Sequence, residues 1–241
     1  LNELFLFVHL KNKGIMTMLK KLLCGATLLC AATFSNAGTI ILSEAVTLQT
    51  TNFQTALSFA QFDTMGGTRT LDSVSFSIDG SIFGTIEVES RDAAPAVITT
   101  KLEAELTLTD ALDNILVVTI PSIERILNAA AFDGTIDFDG PSGETYADLM
   151  ADAFNIETYT DAATLAIFTG MGDAEFTFDA AATSIATGAG SITSAFNTSA
   201  AGFVEIIYTY SDTVTQVSAP SHVALLGLGL LAFAGSRKIR K

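Results

Sequence analysis

Several stretches between Leu71 and Tyr210 alternate apolar with small or polar residues at a period of two. That periodicity suits strands with one face on a core and little else. In LDSVSFSIDGSIFGTIEVES, Val74, Phe76 and Ile78 alternate with Ser73, Ser75 and Ser77, and beyond Asp79-Gly80 the apolar set continues as Ile82, Ile86 and Val88. Asp-Gly tolerates the positive backbone angles of a tight turn, so residues 71–90 are predicted to form a hairpin. KLEAELTLT places Leu102, Ala104, Leu106 and Leu108 on one face, and ILVVTI at 115–120 follows as its antiparallel partner. AEFTFDA, GSITSAFNTS and GFVEIIYTY supply further strands, with Val204, Ile206, Tyr208 and Tyr210 sharing a face. The expectation is an all-β fold, an antiparallel β-sandwich of jelly-roll type. One segment breaks the rule: in residues 143–170, Tyr146, Leu149, Met150, Ala153 and Phe154 recur at helical spacing. One or two short helices over an open end of the sandwich are predicted there.

The two ends of the chain obey different rules. Lys20 and Lys21 precede an apolar stretch from Leu22 to Phe34 and then Ser35-Asn36-Ala37. This is the order of a secretory signal peptide cleaved after Ala37, and its apolar part is too short for the roughly 20 residues of a spanning helix. Translation is expected to begin at Met16 or Met18 rather than within residues 1–15. At the other end, Val223 to Gly235 carries no polar side chain, and Arg237, Lys238, Arg240 and Lys241 follow at once. A helix over 221–236 spans a bilayer marginally, with the basic tail 237–241 held on the cytoplasmic side. The organisation expected is therefore 1–37, an upstream segment and signal peptide; 38–216, an extracytoplasmic domain; and 217–241, a membrane segment with its approach.

Charge narrows the function of the middle region. Of the 26 acidic residues, all but one lie in 38–218, where the basic residues are only Arg69, Arg91, Lys101 and Arg125. Such a surface repels phosphates, so no nucleic acid partner is expected. Cys24, Cys30, His9 and His222 all fall outside the region, which removes disulfides, thiol chemistry, histidine triads and the usual zinc sites. With so many carboxylates, pairing for glycoside hydrolysis selects nothing. No cofactor and no catalytic residue are expected.

Asp133, Asp137, Asp139 and Glu144 crowd into FDGTIDFDGPSGE, and hard oxygen ligands at short spacing are weak candidates for calcium. The EF-hand template does not fit, because counting Asp133 as its first position puts Phe138 where a turn glycine is required. A Gly-rich acidic turn at strand ends is the default reading. Gly227-Leu-Gly229-Leu-Leu-Ala232 has dinucleotide-fingerprint spacing but lies within the apolar tail, so it carries no such meaning.

Val217-Ser218-Ala219-Pro220, the apolar run Ala224 to Leu230 and the basic end Arg237 to Lys241 together resemble the PEP-CTERM sorting signal of Gram-negative bacteria. Ser-Ala-Pro stands where that family usually has Pro-Glu-Pro. The middle region is similar to the choice-of-anchor E type, through LDSVSFSIDGSIFGTIEV, GTIDFDGPSG at 134–143, LAIFTGMG at 165–172 and the closing Tyr208-Thr-Tyr210. The resemblance implies signal peptidase and an exosortase as processing partners, Val217, Ser218, Ala219 and Pro220 as the sorting motif, and transient anchoring in the inner membrane. It also implies a place in the cell envelope or exopolysaccharide matrix. An exported, non-catalytic protein follows, with a secreted carbohydrate-binding module as the alternative; the latter has no Trp and only Tyr146, Tyr159, Tyr208 and Tyr210 to stack on sugars.

Overall fold

A computed structural model of the protein describes residues 37–213. The strands are β1 (Ala37–Thr50), β2 (Phe53–Ala60), β3 (Arg69–Ser90), β4 (Ala96–Asp110), β5 (Ile115–Thr119), β6 (Ser122–Ala129), β7 (Gly143–Tyr159), β8 (Asp173–Ala182), β9 (Ile185–Thr187) and β10 (Ile192–Asp212). One short helix, α1 (Ala162–Ile167), interrupts them. A four-stranded sheet has the order β1-β10-β3-β7, and a second has the order β2-β8-β4-β5, with β6 and β9 also paired to β4. Every ladder between these strands is antiparallel.

The period-two pattern becomes the core. Val74, Phe76, Ile78, Ile82, Ile86 and Val88 of β3 and Val204, Ile206 and Tyr208 of β10 are buried, as are Leu102, Ala104, Leu106 and Leu108 of β4. They form one cluster, so the chain is an all-β sandwich. Phe76 meets Phe168 at 5.0 Å between ring centroids and Phe176 at 5.8 Å, and Phe168 stacks on Phe176 at 5.7 Å. Helix α1 makes this possible: Asp161 caps it by accepting the Thr164 N–H, and the chain leaving it drops Phe168 into the core. The Phe62 N–H then donates to the Phe168 carbonyl at 2.8 Å, and the Gly170 N–H to the Phe62 carbonyl at 3.0 Å, closing that end.

The β4–β5 pair forms as expected, and β8 covers AEFTFDA. Three expectations are corrected. Residues 71–90 are not a hairpin; β3 runs unbroken through Asp79-Gly80, and Gly80 does not have a positive φ. A Cβ on Gly80 would collide with Leu106 Cδ1 from the opposite sheet, so this glycine provides room across the sandwich rather than a turn. GSITSAFNTS and GFVEIIYTY likewise join into the single strand β10, which extends to Asp212.

The helical spacing at 143–170 is corrected too, because Gly143–Tyr159 is a strand and only α1 is helical. Tyr146 pairs with Ile86 and Leu149 with Gly84, so three residues of β7 answer two of β3 across a bulge, with Asp148 at φ 53°. Beyond the bulge Leu149 and Ala153 take one face, and Met150 and Phe154 the other. A bulge step plus two apolar faces imitates a helix in sequence.

Candidate functional site

The central strands of the first sheet set the dimensions. β3 has 22 residues, which at about 3.3 Å each gives a sheet roughly 70 Å long. At one end Arg69 pairs with Asp212 at 3.5 Å, beside the point where the chain continues toward the C-terminal segment. At the other end lie Glu89, Ser90 and the acidic loop between β6 and β7.

The loop is tied down along its length. The Ala130 N–H donates to the Pro141 carbonyl, Phe132 N–H to the Asp92 carbonyl, and Ser90 N–H to the Ser142 carbonyl, each at 2.8 Å. Three of the predicted calcium candidates sit here, and each uses Oδ1 to accept from a backbone N–H of the loop itself. Asp133 accepts from Thr135 at 2.9 Å, Asp137 from Asp139 at 3.2 Å, and Asp139 from Gly140 at 2.7 Å. Phe138 stands at φ 55°, a left-handed conformation at the very position where the EF-hand template calls for glycine.

Glu144 is not brought to this loop. It pairs with Val88 while Gly143 pairs with Glu89, so Glu144 and Glu89 belong to opposite faces of the sheet. Glu144 lies beside Tyr146, whose pKa is pushed up to about 12 by burial and then by the neighbouring Glu144 carboxylate. The acid that the loop does enclose is Glu89, which is 0% exposed. Its Oε2 accepts the Phe138 N–H at 3.0 Å, and its Oε1 is buried with no hydrogen-bond partner. Among the described residues the ion pairs are Arg69–Asp212 and Lys101–Glu103, both elsewhere, so no cation neutralises Glu89. Among the described residues no group of three or more His, Cys, Asp or Glu is arranged to hold a metal ion.

A second feature lies midway along the outer face of the same sheet. A shallow depression of about 380 Å³ is lined by Asp79, Ser81, Asp152, Ala201, Gly202 and Phe203. Ser81 Oγ donates to Asp152 Oδ1 at 2.6 Å. Asp79 is flanked in register by Phe203 on β10 and Phe154 on β7, which are 43% and 61% exposed. The two phenylalanines are two strands apart, about 10 Å. None of the four tyrosines belongs to this face: Tyr208 is buried, Tyr159 donates to the Leu116 carbonyl, Tyr146 packs on the core, and Tyr210 lies under the Arg69 guanidinium.

Val217, Ser218, Ala219, Pro220, Arg237, Lys238, Arg240 and Lys241 lie outside the described residues. Ala37 is the first residue of β1 and pairs with Ser211, so cleavage after it leaves the strand intact from Gly38. Among the described residues no helix is long and apolar enough to cross a membrane. Glu89 escaped sequence reasoning because what buries it is a loop 49 residues further along.

No protein-family model matches the sequence, and no curated protein matches it. Among solved structures it is similar to the infectious bursal disease virus VP2 subviral particle, with 12% identity over 76% of this chain and 38% of that one, at a TM-score of 0.22. It is also similar to the structure of the infectious bursal disease virus Gx strain, with 11% identity over 75% of this chain and 37% of that one, at a TM-score of 0.25. The chain thus spans less than two-fifths of either length.

Proposed function

We propose that the protein is an exported, non-catalytic component of the cell envelope or exopolysaccharide matrix, sorted by an exosortase through its PEP-CTERM-like signal. The observation that carries this reading is the order of the last 25 residues: Val217 to Pro220, an uninterrupted apolar run, and four cations in the last five positions. Two structural facts support it. The sandwich fills the interval between the two targeting segments, from β1 at the expected cleavage point to β10 at Asp212. The long sheet also sets its acidic loop roughly 70 Å from the end that leads to the C-terminal segment. Cell fractionation of the full-length protein beside a variant lacking 217–241 tests the reading. The full-length protein should be retained in the envelope and the truncated one released; identical distributions overturn it.

A specific observation also favours glycan binding. The depression joins two carboxylates and a hydroxyl, which take sugar hydroxyls, to the exposed ring of Phe203, and exposed Phe154 pairs with Asp79 beside it. Binding on a glycan array that is lost in Asp79→Ala and in Phe203→Ala supports it, and an array with no signal removes it.

A further inference from the structure

We propose that Glu89, together with the loop from Asp133 to Gly143, binds one hard divalent cation, calcium before magnesium. Glu89 belongs neither to the sorting signal nor to the depression. A carboxylate wholly removed from water is strongly unfavourable unless it is paired. Glu89 has one of its oxygens on the Phe138 N–H and the other on nothing, and neither described ion pair involves it. Something positive completes the site. Among the described residues no side-chain cation is there, which leaves an ion or a proton.

The chemistry around Glu89 selects the ion. Asp133, Asp137 and Asp139 each use only Oδ1 within the loop, which leaves their Oδ2 atoms for a ligand. Peptide carbonyls and carboxylates make an all-oxygen set, with neither sulfur nor imidazole, and such sets favour calcium or magnesium over transition metals. An irregular loop suits the six to eight flexible contacts of calcium better than the strict octahedron of magnesium. Because no three carboxylates of the described residues are already gathered, binding must draw loop side chains toward Glu89. That cost places the affinity in the range of extracellular calcium modules, about 10⁻⁴ to 10⁻³ M.

The test is equilibrium dialysis and thermal melting of the full-length protein with calcium chloride, with magnesium chloride and with a chelator. Glu89→Gln keeps the side-chain shape and an acceptor for the Phe138 N–H but carries no charge. The Asp137→Asn, Asp139→Asn double variant alters only exposed loop positions, so it reports even if Glu89→Gln fails to fold. The wild type should take up one calcium per chain, with its melting temperature raised by about 3–6 °C at about 10 mM calcium and less by magnesium. Glu89→Gln should lose both effects, and the double variant should bind at least tenfold more weakly. No stoichiometric uptake by the wild type overturns the proposal. Uptake by either variant equal to that of the wild type also overturns it, since calcium would then sit elsewhere on the acidic surface. A Glu89→Gln protein that melts above a calcium-free, calcium-insensitive wild type identifies Glu89 as a neutral acid and ends the proposal.

Discussion

Gly80 and Gly202 stand opposite each other on β3 and β10, and side chains from the second sheet occupy the space that their Cβ atoms would need. Leu106 presses on Gly80, and the Phe178 ring lies 2.8 Å from the Cβ position of Gly202. Two neighbouring strands omit a side chain at the same level, which leaves room for Leu106 and Phe178 of the second sheet. Replacing Gly202 by Ala should force the fully buried Phe178 ring off its site and cost about 1–3 kcal/mol. Urea denaturation measures it as a lower midpoint at unchanged slope. An unchanged midpoint would show that the sheets separate without penalty.

The same glycine pair explains what could be read in the sequence. A two-residue turn at Asp79-Gly80 would place residues 78 and 81 on one face and carry Phe83, Thr85 and Glu87 inward. The apolar residues are Ile82, Ile86 and Val88, in unbroken even parity with Val74, Phe76 and Ile78, so the parity itself specifies a continuous strand against the local turn preference of Asp-Gly. The bulge at Asp148 was harder to read, since its three-residue step from Tyr146 to Leu149 is also a helical step. The alternating faces of β4 and β10 needed no more than periodicity. The carboxylate of Glu89 and the depression beside Asp79 depend on pairings between distant strands, which no local pattern encodes.

Asp110 closes the β4–β5 turn. Its Oδ1 accepts from Leu112 N–H at 2.8 Å and Asn114 N–H at 2.9 Å, while Oδ2 accepts from Asn114 Nδ2 at 2.8 Å. Burial alone pushes its carboxyl up, but these hydrogen bonds, led by the Asn114 side chain, outweigh burial and hold its pKa below 3.8. A carboxyl whose folded pKa is depressed contributes stability above its unfolded pKa, and that contribution is lost as pH falls below about 4. Asp110→Ala should therefore cost about 1.5–3 kcal/mol at neutral pH and progressively less in acid. Denaturation midpoints of wild type and variant measured from pH 7 down to pH 3 check this; a gap that stays constant contradicts it.

Tyr208 is the opposite case. Its hydroxyl donates to the Ala60 carbonyl at 3.1 Å, and burial pushes its pKa up to about 12. The folded protein thus keeps a proton that the unfolded chain gives up near pH 10, so stability falls as pH rises through 10. Tyr208→Phe should cost about 1 kcal/mol at neutral pH and flatten that alkaline decline. Tyr146 and Tyr159, also shifted upward, should leave part of the slope in place. Melting curves between pH 8 and pH 11 decide it, and an unchanged slope in the variant would remove Tyr208 from the explanation.

The reading of the protein as an exported and sorted sandwich is tested by the intact mass of the protein recovered from the cell envelope. The account predicts an N-terminus at Gly38, where β1 still pairs with β10 at Tyr210, and a C-terminus that has lost the basic residues Arg237 to Lys241. A mass that retains both ends, or protein found only in the cytoplasm, would contradict it.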